Sequence, residues 1–403
     1  MQWVVMTSQE RPIAPATLAL AGALSLAAAM GIGRFAFTPV LPLMLSDGML
    51  DVAQAGWMAA ANYAGYLAGA LSAARLPLRA GTMAVLALLA TSILTVAMAW
   101  PLPAIWLPLR FLAGAASAWV FVSTSVWCLG ALAQQGAGSA SGWVYAGVGG
   151  GIALAGLHCL LAAAAGVRSA PLWLQLGGLA LLLGLPAFRA IASLPPRADA
   201  APAPAVADGS DAEAFGTRGL VVCYGMMGFG YILPATFLPM LARTAVDDPR
   251  VFGLAWPIFG CTAALSTLFA ARLLRDATRL KTWAACQLLM GLGVLLPALR
   301  VNLWTIAMSA LLVGGTFMVI TLAGVQEMRA RAHGHVARLV GRMTAAFALG
   351  QIAGPIVSAP LLRTGPQGLS IALAAGAAGL LATGAWLWRT ACEQPPLEMT
   401  RHG

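Results

Sequence analysis

Arg34 stands inside an otherwise uncharged run, Met30–Met44, "MGIGRFAFTPVLPLM". It lies about four residues, or roughly 6 Å, from the middle of the helix expected there. A guanidinium at such a depth costs at least ~2.5–3.5 kcal/mol, so it must face a partner, water or a ligand. Its planar fork suits a carboxylate, which makes Arg34 a candidate anchor for a small organic anion; the structural alternative is pairing with helix-end carbonyls or a neighbouring helix. Arg110 is the other cation within an apolar run, and its place near one end of its helix leaves room for snorkelling. Asn62, Tyr66 and Gly69 share one helical face, with Asn62 either interhelical glue or a lining group. Tyr145 and Gln351 are weaker candidates of the same kind. For a proton carrier the chain offers little: His158 inside a helix, Asp51 at a helix start and Glu327 at a helix end. The proton could also travel on the substrate, as a protonated acid.

The elements that must hold these groups are apolar helices. Of 403 residues, 60% are hydrophobic and only 9% charged, far from a soluble domain with roughly a quarter charged. Uncharged stretches of 23 residues (52–74), 30 (80–109) and 57 (111–167) follow one another, and the last is broken by the polar, small run Gln134–Ser139. Spans of about 20 residues are expected at 15–45, 52–74, 81–100, 104–131, 140–165 and 170–190. A second set is expected at 218–242, 251–271, 282–299, 303–327, 341–362 and 367–388. The fold class is therefore an all-α membrane protein with twelve transmembrane helices, since a buried backbone must satisfy its own hydrogen bonds. The first segment is expected to stay as a helix, because its apolar run continues past the small residues that resemble a signal-peptide cleavage site.

Net charge is +10, and its distribution reads as topology. With the N-terminus cytoplasmic, 16 Lys and Arg fall on the inside, 5 outside and 2 within spans, a positive-inside bias. Both termini are expected in the cytoplasm, and no nucleic-acid partner is implied. Residues 194–217, rich in Pro, Ala and Asp, read as a flexible cytoplasmic linker between 1–193 and 218–403. The six cysteines are scattered without a C-x-x-C pair, so neither a disulfide framework nor a metal site is expected.

A shift of 197 residues lays Met30, Gly31, Gly33, Leu41 and Pro42 over Met227, Gly228, Gly230, Leu238 and Pro239. The same shift carries Ala73-Ala74-Arg75-Leu76 onto Ala270-Ala271-Arg272-Leu273 and Gly56 onto Gly253; a shift of 200 carries Gly150 and Ile152 onto Gly350 and Ile352. Two parallel six-helix halves about an axis normal to the membrane place a substrate site at the midplane between them. The repeat sets Tyr231 opposite Arg34. Three G-x-x-x-G spacings, Gly65/Gly69, Gly147/Gly151 and Gly350/Gly354, either let helices rock against one another or tighten static packing.

"GIGRFAFTPVLPLM", "QAGWMAAANYAGYLAGAL" (Gln54–Leu71) and "RFLAGAASAWVF" (Arg110–Phe121) resemble the YbfB/YjiJ-type members of the major facilitator superfamily. That resemblance implies a bacterial inner-membrane, multi-pass secondary transporter with the major facilitator fold, working as a monomer among membrane lipid. The Arg110-x-x-x-Gly114 spacing resembles the superfamily's fourth-helix motif, whose arginine is linked to proton coupling or substrate contact. The chain departs from the superfamily's loop pattern G-x-x-x-D-x-x-G-R-[RK], with Ala73 for the Asp and Leu76 for the second Gly. In the fifth helix, Gly147-Val148-Gly149-Gly150-Gly151 keeps the glycines of the antiporter pattern without its proline.

Other classes find no support. Leu280 stands where a phosphate-binding G-x-x-x-x-G-K-[ST] loop needs Gly before Lys281-Thr282. No G-x-S-x-G elbow occurs, so neither an enzyme nor a bound cofactor is expected. The expectation is a secondary active transporter moving a small organic anion by alternating access, coupled to protons. The alternative is a proton-driven exporter of amphipathic compounds, in which Trp119, Tyr145 and Tyr231 outweigh the arginine.

Overall fold

The computed structural model describes residues 13–73, 75–193, 214–245, 253–273, 279–331, 336–362 and 366–393. Arg11, linker residues 194–213 and residues 332–335 of the basic loop after Glu327 lie outside the described residues. Among those described, every regular element is helical: α1 (Pro15–Leu26), a π-helical segment (Ala27–Arg34), α2 (Phe37–Ser46), α3 (Val52–Ala73), α4 (Ala80–Ala97), α5 (Pro103–Gln134), a 3-10 turn (Gly138–Ala140), α6 (Ser141–Ala164) and α7 (Ser169–Ala192). After the linker come α8 (Ala214–Ala245), α9 (Ala255–Leu273), α10 (Arg279–Leu299), α11 (Leu303–Arg331), α12 (Val336–Leu362) and α13 (Pro366–Glu393).

Among the described residues nine helical stretches, the first of them Pro15–Ser46, are long and apolar enough to cross a membrane, and Ala255–Ala270 is a shorter apolar helix. α3 is not among the nine: it carries Asn62, Tyr63 and Tyr66, polar groups that lower its hydropathy.

Two boundaries correct the sequence reading. Residues 214–217, expected in the linker, open α8, because Ala-Phe-Gly-Thr continues into an apolar helix with no breaker between. The first span is not one regular helix. Phe35 N–H bonds back five residues to Met30 O at 3.1 Å, Ala36 N–H to Ile32 O at 3.1 Å and Thr38 N–H to Phe35 O at 3.2 Å. The cause is local: Gly31 and Gly33 weaken the helix, and Pro39 has no N–H to return to Phe35. Such π segments recur at functional sites, and this one ends on Arg34.

Before the linker, α3 packs on α5, α4 on α5 and α7, and α1 with the π segment on α6. After it, α10 packs on α13 and α11, and α8 on α12. Between these two sets, α6 packs on α9, α3 on α12 and α2 on α8. The first two contacts are mates, since the internal shifts carry α3 onto α9 and α6 onto α12.

The G-x-x-x-G pairs pack inside each set. A Cβ on Gly65 would sit 1.8 Å from Phe111 O, on Gly147 2.0 Å from Ala23 O, and on Gly350 2.1 Å from Gly225 O. There they let helices of one set approach closely. The close approach between sets falls instead at Gly149 and Gly260, where a Cβ would lie 2.3 Å from Ala264 N and 2.2 Å from Ala153 N respectively.

Candidate substrate site

The π segment delivers Arg34 to the interior, 2% exposed. Arg34 Nη2 donates to Gln351 Oε1, and Gln351 Nε2 donates to Tyr231 Oη. Gln351, on α12, is 0% exposed. Residues from α12 and α8 thus meet the arginine through a single carboxamide. The guanidinium carbon lies 3.6 Å from the Tyr66 ring centroid, 5.6 Å from Tyr63 and 5.3 Å from Phe35, positions that favour a cation over a π face. Arg34 Nε and Nη1 have no hydrogen-bond partner. Among the described residues the ion pairs are Arg168–Asp47 and Arg331–Glu327, and neither Arg34 nor Arg110 has one.

Arg110 does not snorkel. It is 3% exposed, turned inward from α5, with Nη1 donating to Gly33 O at 3.4 Å and Nη2 to Arg34 O at 3.2 Å. A cation on the last carbonyls of a helical segment satisfies orphan acceptors and opposes the dipole. The chain turn at Phe35–Ala36 leaves those carbonyls open, so the charge goes there and not to the helix end. Its guanidinium also lies 4.8 Å from the Phe37 centroid. Asn62 Nδ2 donates to Arg110 O at 3.0 Å, tying α3 to α5, while Asn62 Oδ1 is left without a partner. Arg110 thus holds the backbone at Arg34, and Asn62 holds the backbone at Arg110.

Tyr231 stacks between Phe317 and Phe347, with centroids 5.5 Å from each. The stack continues through Phe259 to Trp256, and Trp256 meets Phe35 at 6.5 Å. Both faces of the Tyr231 ring are covered, so its hydroxyl is what it presents. Tyr145, on α6, lies 5.9 Å from the Phe121 centroid, and its hydroxyl is 3.5 Å from Ser125 Oγ. Trp119 Nε1 donates to Ser72 Oγ at 3.0 Å.

The structure does not bring the proton-carrier candidates to Arg34. His158 Nε2 is 2.9 Å from Gln175 Oε1 on the exposed side of α6 and α7. Asp51 is exposed at the start of α3: its Oδ1 accepts from Gln54 N–H at 2.7 Å and its own N–H donates to Gln54 Oε1 at 2.9 Å, a capping box. Glu327 is buried and paired with Arg331 at 2.7 Å, one helical turn on.

Sequence reasoning missed Tyr63, whose hydroxyl lies 3.2 Å from Thr236 Oγ1, and Thr38, whose Oγ1 donates to Ala235 O at 3.0 Å. Both link the two helix sets. Thr38 and Ala235 are 197 residues apart, so the repeat offset itself could have found that pair. Tyr63 lies three residues from Tyr66, on the same stripe.

Among the described residues no group of His, Cys, Asp and Glu could hold a metal ion. The profile of the family described as "Uncharacterised MFS-type transporter YbfB" matches residues 26–387. No curated protein sequence matches the chain. Among solved structures the nucleoside transporter NupG is similar at TM-score 0.68 and 14% identity, over 94% of this chain and 100% of that one. The human organic anion transporter MFSD10 (TETRAN) is similar at TM-score 0.64 and 15% identity, over 94% and 100%. At such identities the likeness shows a shared fold.

Proposed function

Because the chain belongs to the YbfB-type family of the major facilitator superfamily, we propose that it is a twelve-span secondary transporter that carries a small organic anion across the bacterial inner membrane by alternating access. In this reading residues 1–193 and 214–403 form two six-helix halves, joined by a cytoplasmic linker, with both termini cytoplasmic. The reciprocal packing of α3 on α12 and α6 on α9 supports the halves. Exposed tryptophans support the spans: with helices alternating in direction, Trp57, Trp100 and Trp304 fall at one end, and Trp143, Trp386 and Trp388 at the other. That is the arrangement of two interfacial belts.

The observation that carries the anion reading is Arg34, a buried guanidinium without an ion pair among the described residues and with Nε and Nη1 unpartnered. Of the residues tied to it, Arg110 Nε is a further donor without a partner, against one acceptor, Asn62 Oδ1. A buried donor left unmade costs about 1–3 kcal/mol, and a ligand rich in acceptor oxygens removes that cost. Arg34 is the anchor, Tyr66 and Tyr63 its aromatic floor, and Tyr231 the hydroxyl on the facing half. His158, Asp51 and Glu327 are engaged elsewhere, so a proton that accompanies transport travels on the substrate.

The test is thermal stability of purified protein against a panel of organic anions and lipophilic cations, with Arg34→Ala and Arg34→Lys alongside. Stabilisation by an anion that Arg34→Ala abolishes and Arg34→Lys weakens is the expected result. Stabilisation by cations, equal in the wild type and both variants, overturns the anion reading and favours an exporter of amphipathic compounds.

A further inference from the structure

We propose that the Gln351 carboxamide occupies the place of the substrate's carboxylate, and that the substrate enters by displacing it. The inference rests on the reading of Arg34 as an anion anchor. A carboxamide and a carboxylate are both planar, with two polar atoms on one carbon, and differ in that one end of the amide donates. Gln351 uses both ends: Oε1 accepts from Arg34 Nη2 and Nε2 donates to Tyr231 Oη. The slot it fills is bounded by a guanidinium and a phenol. A phenol both donates and accepts, and here it accepts. Among the described residues its own O–H has no acceptor.

A carboxylate in that slot makes the better match. One oxygen takes the Arg34 N–H and the other takes the Tyr231 O–H, which needs only to rotate. The ring itself has nowhere to go, because Phe317 and Phe347 cover both faces. The bond to Arg34, already charge-assisted by the guanidinium, gains a second, opposite charge in the carboxylate. The amide therefore holds the slot in the empty protein and yields it to an anion.

Displacement also has a mechanical consequence. The Arg34–Gln351 bond crosses from the first helix set to α12, alongside Thr38–Ala235 and Tyr63–Thr236. Substrate entry exchanges the Arg34–Gln351 cross-link for one through the substrate, from Arg34 to Tyr231, and so releases α12 from the first helix set at this point.

The experiment needs only the smallest carboxylate probe. Thermal stability of purified wild type, Gln351→Ala, Gln351→Glu, Gln351→Ala/Arg34→Ala and Gln351→Ala/Tyr231→Phe is measured against sodium acetate, with acetamide and sodium chloride at matched concentration. Gln351→Ala is expected to melt lower than wild type and to recover by about 2 °C or more in acetate, saturably, more than in acetamide, and not in chloride. Loss of Arg34 abolishes the recovery; loss of the Tyr231 hydroxyl weakens it. Gln351→Glu, which carries its own carboxylate, melts no lower than wild type and ignores acetate. An acetate effect on Gln351→Ala no larger than that of chloride overturns the proposal, as does a full effect without Arg34. If the wild type is stabilised by a panel anion through Arg34 while acetate fails on Gln351→Ala, the anchor stands and the placeholder falls. If neither occurs, both fall.

Discussion

Thr38 Oγ1 donates to the backbone carbonyl of Ala235 at 3.0 Å, and the two residues stand 197 positions apart. That is the offset which lays Met30–Pro42 over Met227–Pro239 in the sequence. A residue and its own repeat equivalent can touch only close to the axis relating the two copies. In the two-half reading proposed above, the contact puts α2 and α8 beside that axis, with Arg34 and Tyr231, equivalent by the same offset, on either side of it. Gln351 fills the space between them.

Arg34→Lys keeps a charge and loses the fork. Lysine cannot lie flat on Tyr66 while reaching Gln351, so anion affinity is expected to fall by about 10-fold, or about 1.4 kcal/mol, less than the 2–5 kcal/mol that truncating a buried charged pair costs because the charge is kept. Titrating the anion that stabilises the wild type against this variant checks it. Equal affinity would mean that charge alone matters at this position.

Arg110→Met removes the donor on two carbonyls at the end of the π segment, Gly33 O and Arg34 O. Each buried acceptor left unmade costs about 1–3 kcal/mol, partly offset because a buried cation without an ion pair is also removed. Stability in detergent should fall, and anion affinity should fall with it, because Arg34 loses its support. A variant with unchanged affinity would show that Arg110 does not position Arg34.

Gly260→Ala places a methyl 2.2 Å from the Ala153 backbone nitrogen, where no side chain can swing aside. The overlap should cost about 1–3 kcal/mol and push α9 off α6. Disulfide formation in a Thr38→Cys/Ala235→Cys pair reports on the same closed interface. Its yield is expected to drop when Gly260→Ala is added, and an unchanged yield would show that the interface does not depend on this contact.

Asp47 gives the protein a pH dependence of stability. It follows α2 and caps α7 from another loop: Oδ2 accepts from Ser169 N–H at 2.8 Å and Ser169 Oγ at 2.6 Å, and Oδ1 from Arg168 Nε at 3.5 Å. Partial burial pushes its carboxyl upward, but the Ser169 hydrogen bonds and the Arg168 charge outweigh it and hold it below the ordinary 3.8. A carboxylate with a lowered folded pKa contributes stability that is present above its unfolded pKa and lost as pH falls through the folded value. Asp47→Asn should therefore melt lower near neutrality, by the ~1 kcal/mol typical of a cap, with the gap closing below about pH 4. Melting curves between acid and neutral pH for both proteins test this; a constant gap would contradict it.

His158 faces Gln175 on the exposed side of α6 and α7, away from Arg34. The pH profile of transport in His158→Gln should match that of the wild type. A displaced profile would put a titrating group of the cycle at that edge.

Composition alone carries the class of this protein. Long uncharged runs can satisfy their backbones in a membrane only as helices, and the isolated Arg34 is conspicuous because charge there is costly. The 197-residue offset is equally visible, and Tyr231 follows from it. These are local or additive properties, readable wherever the residues stand.

Partnership is different. Nothing in the spacing of Gln351 says that it, 317 residues away, takes Arg34's N–H, or that Arg110 turns inward to close a π segment instead of reaching for water. The break at Phe35–Ala36 has visible causes in Gly31, Gly33 and Pro39, yet its effect, aiming Arg34 inward and freeing two carbonyls, depends on what packs against it. Hydrogen-bond pairing between helices is decided by their relative rotation and depth. Those are set by many apolar contacts at once, and no short motif in the chain encodes them.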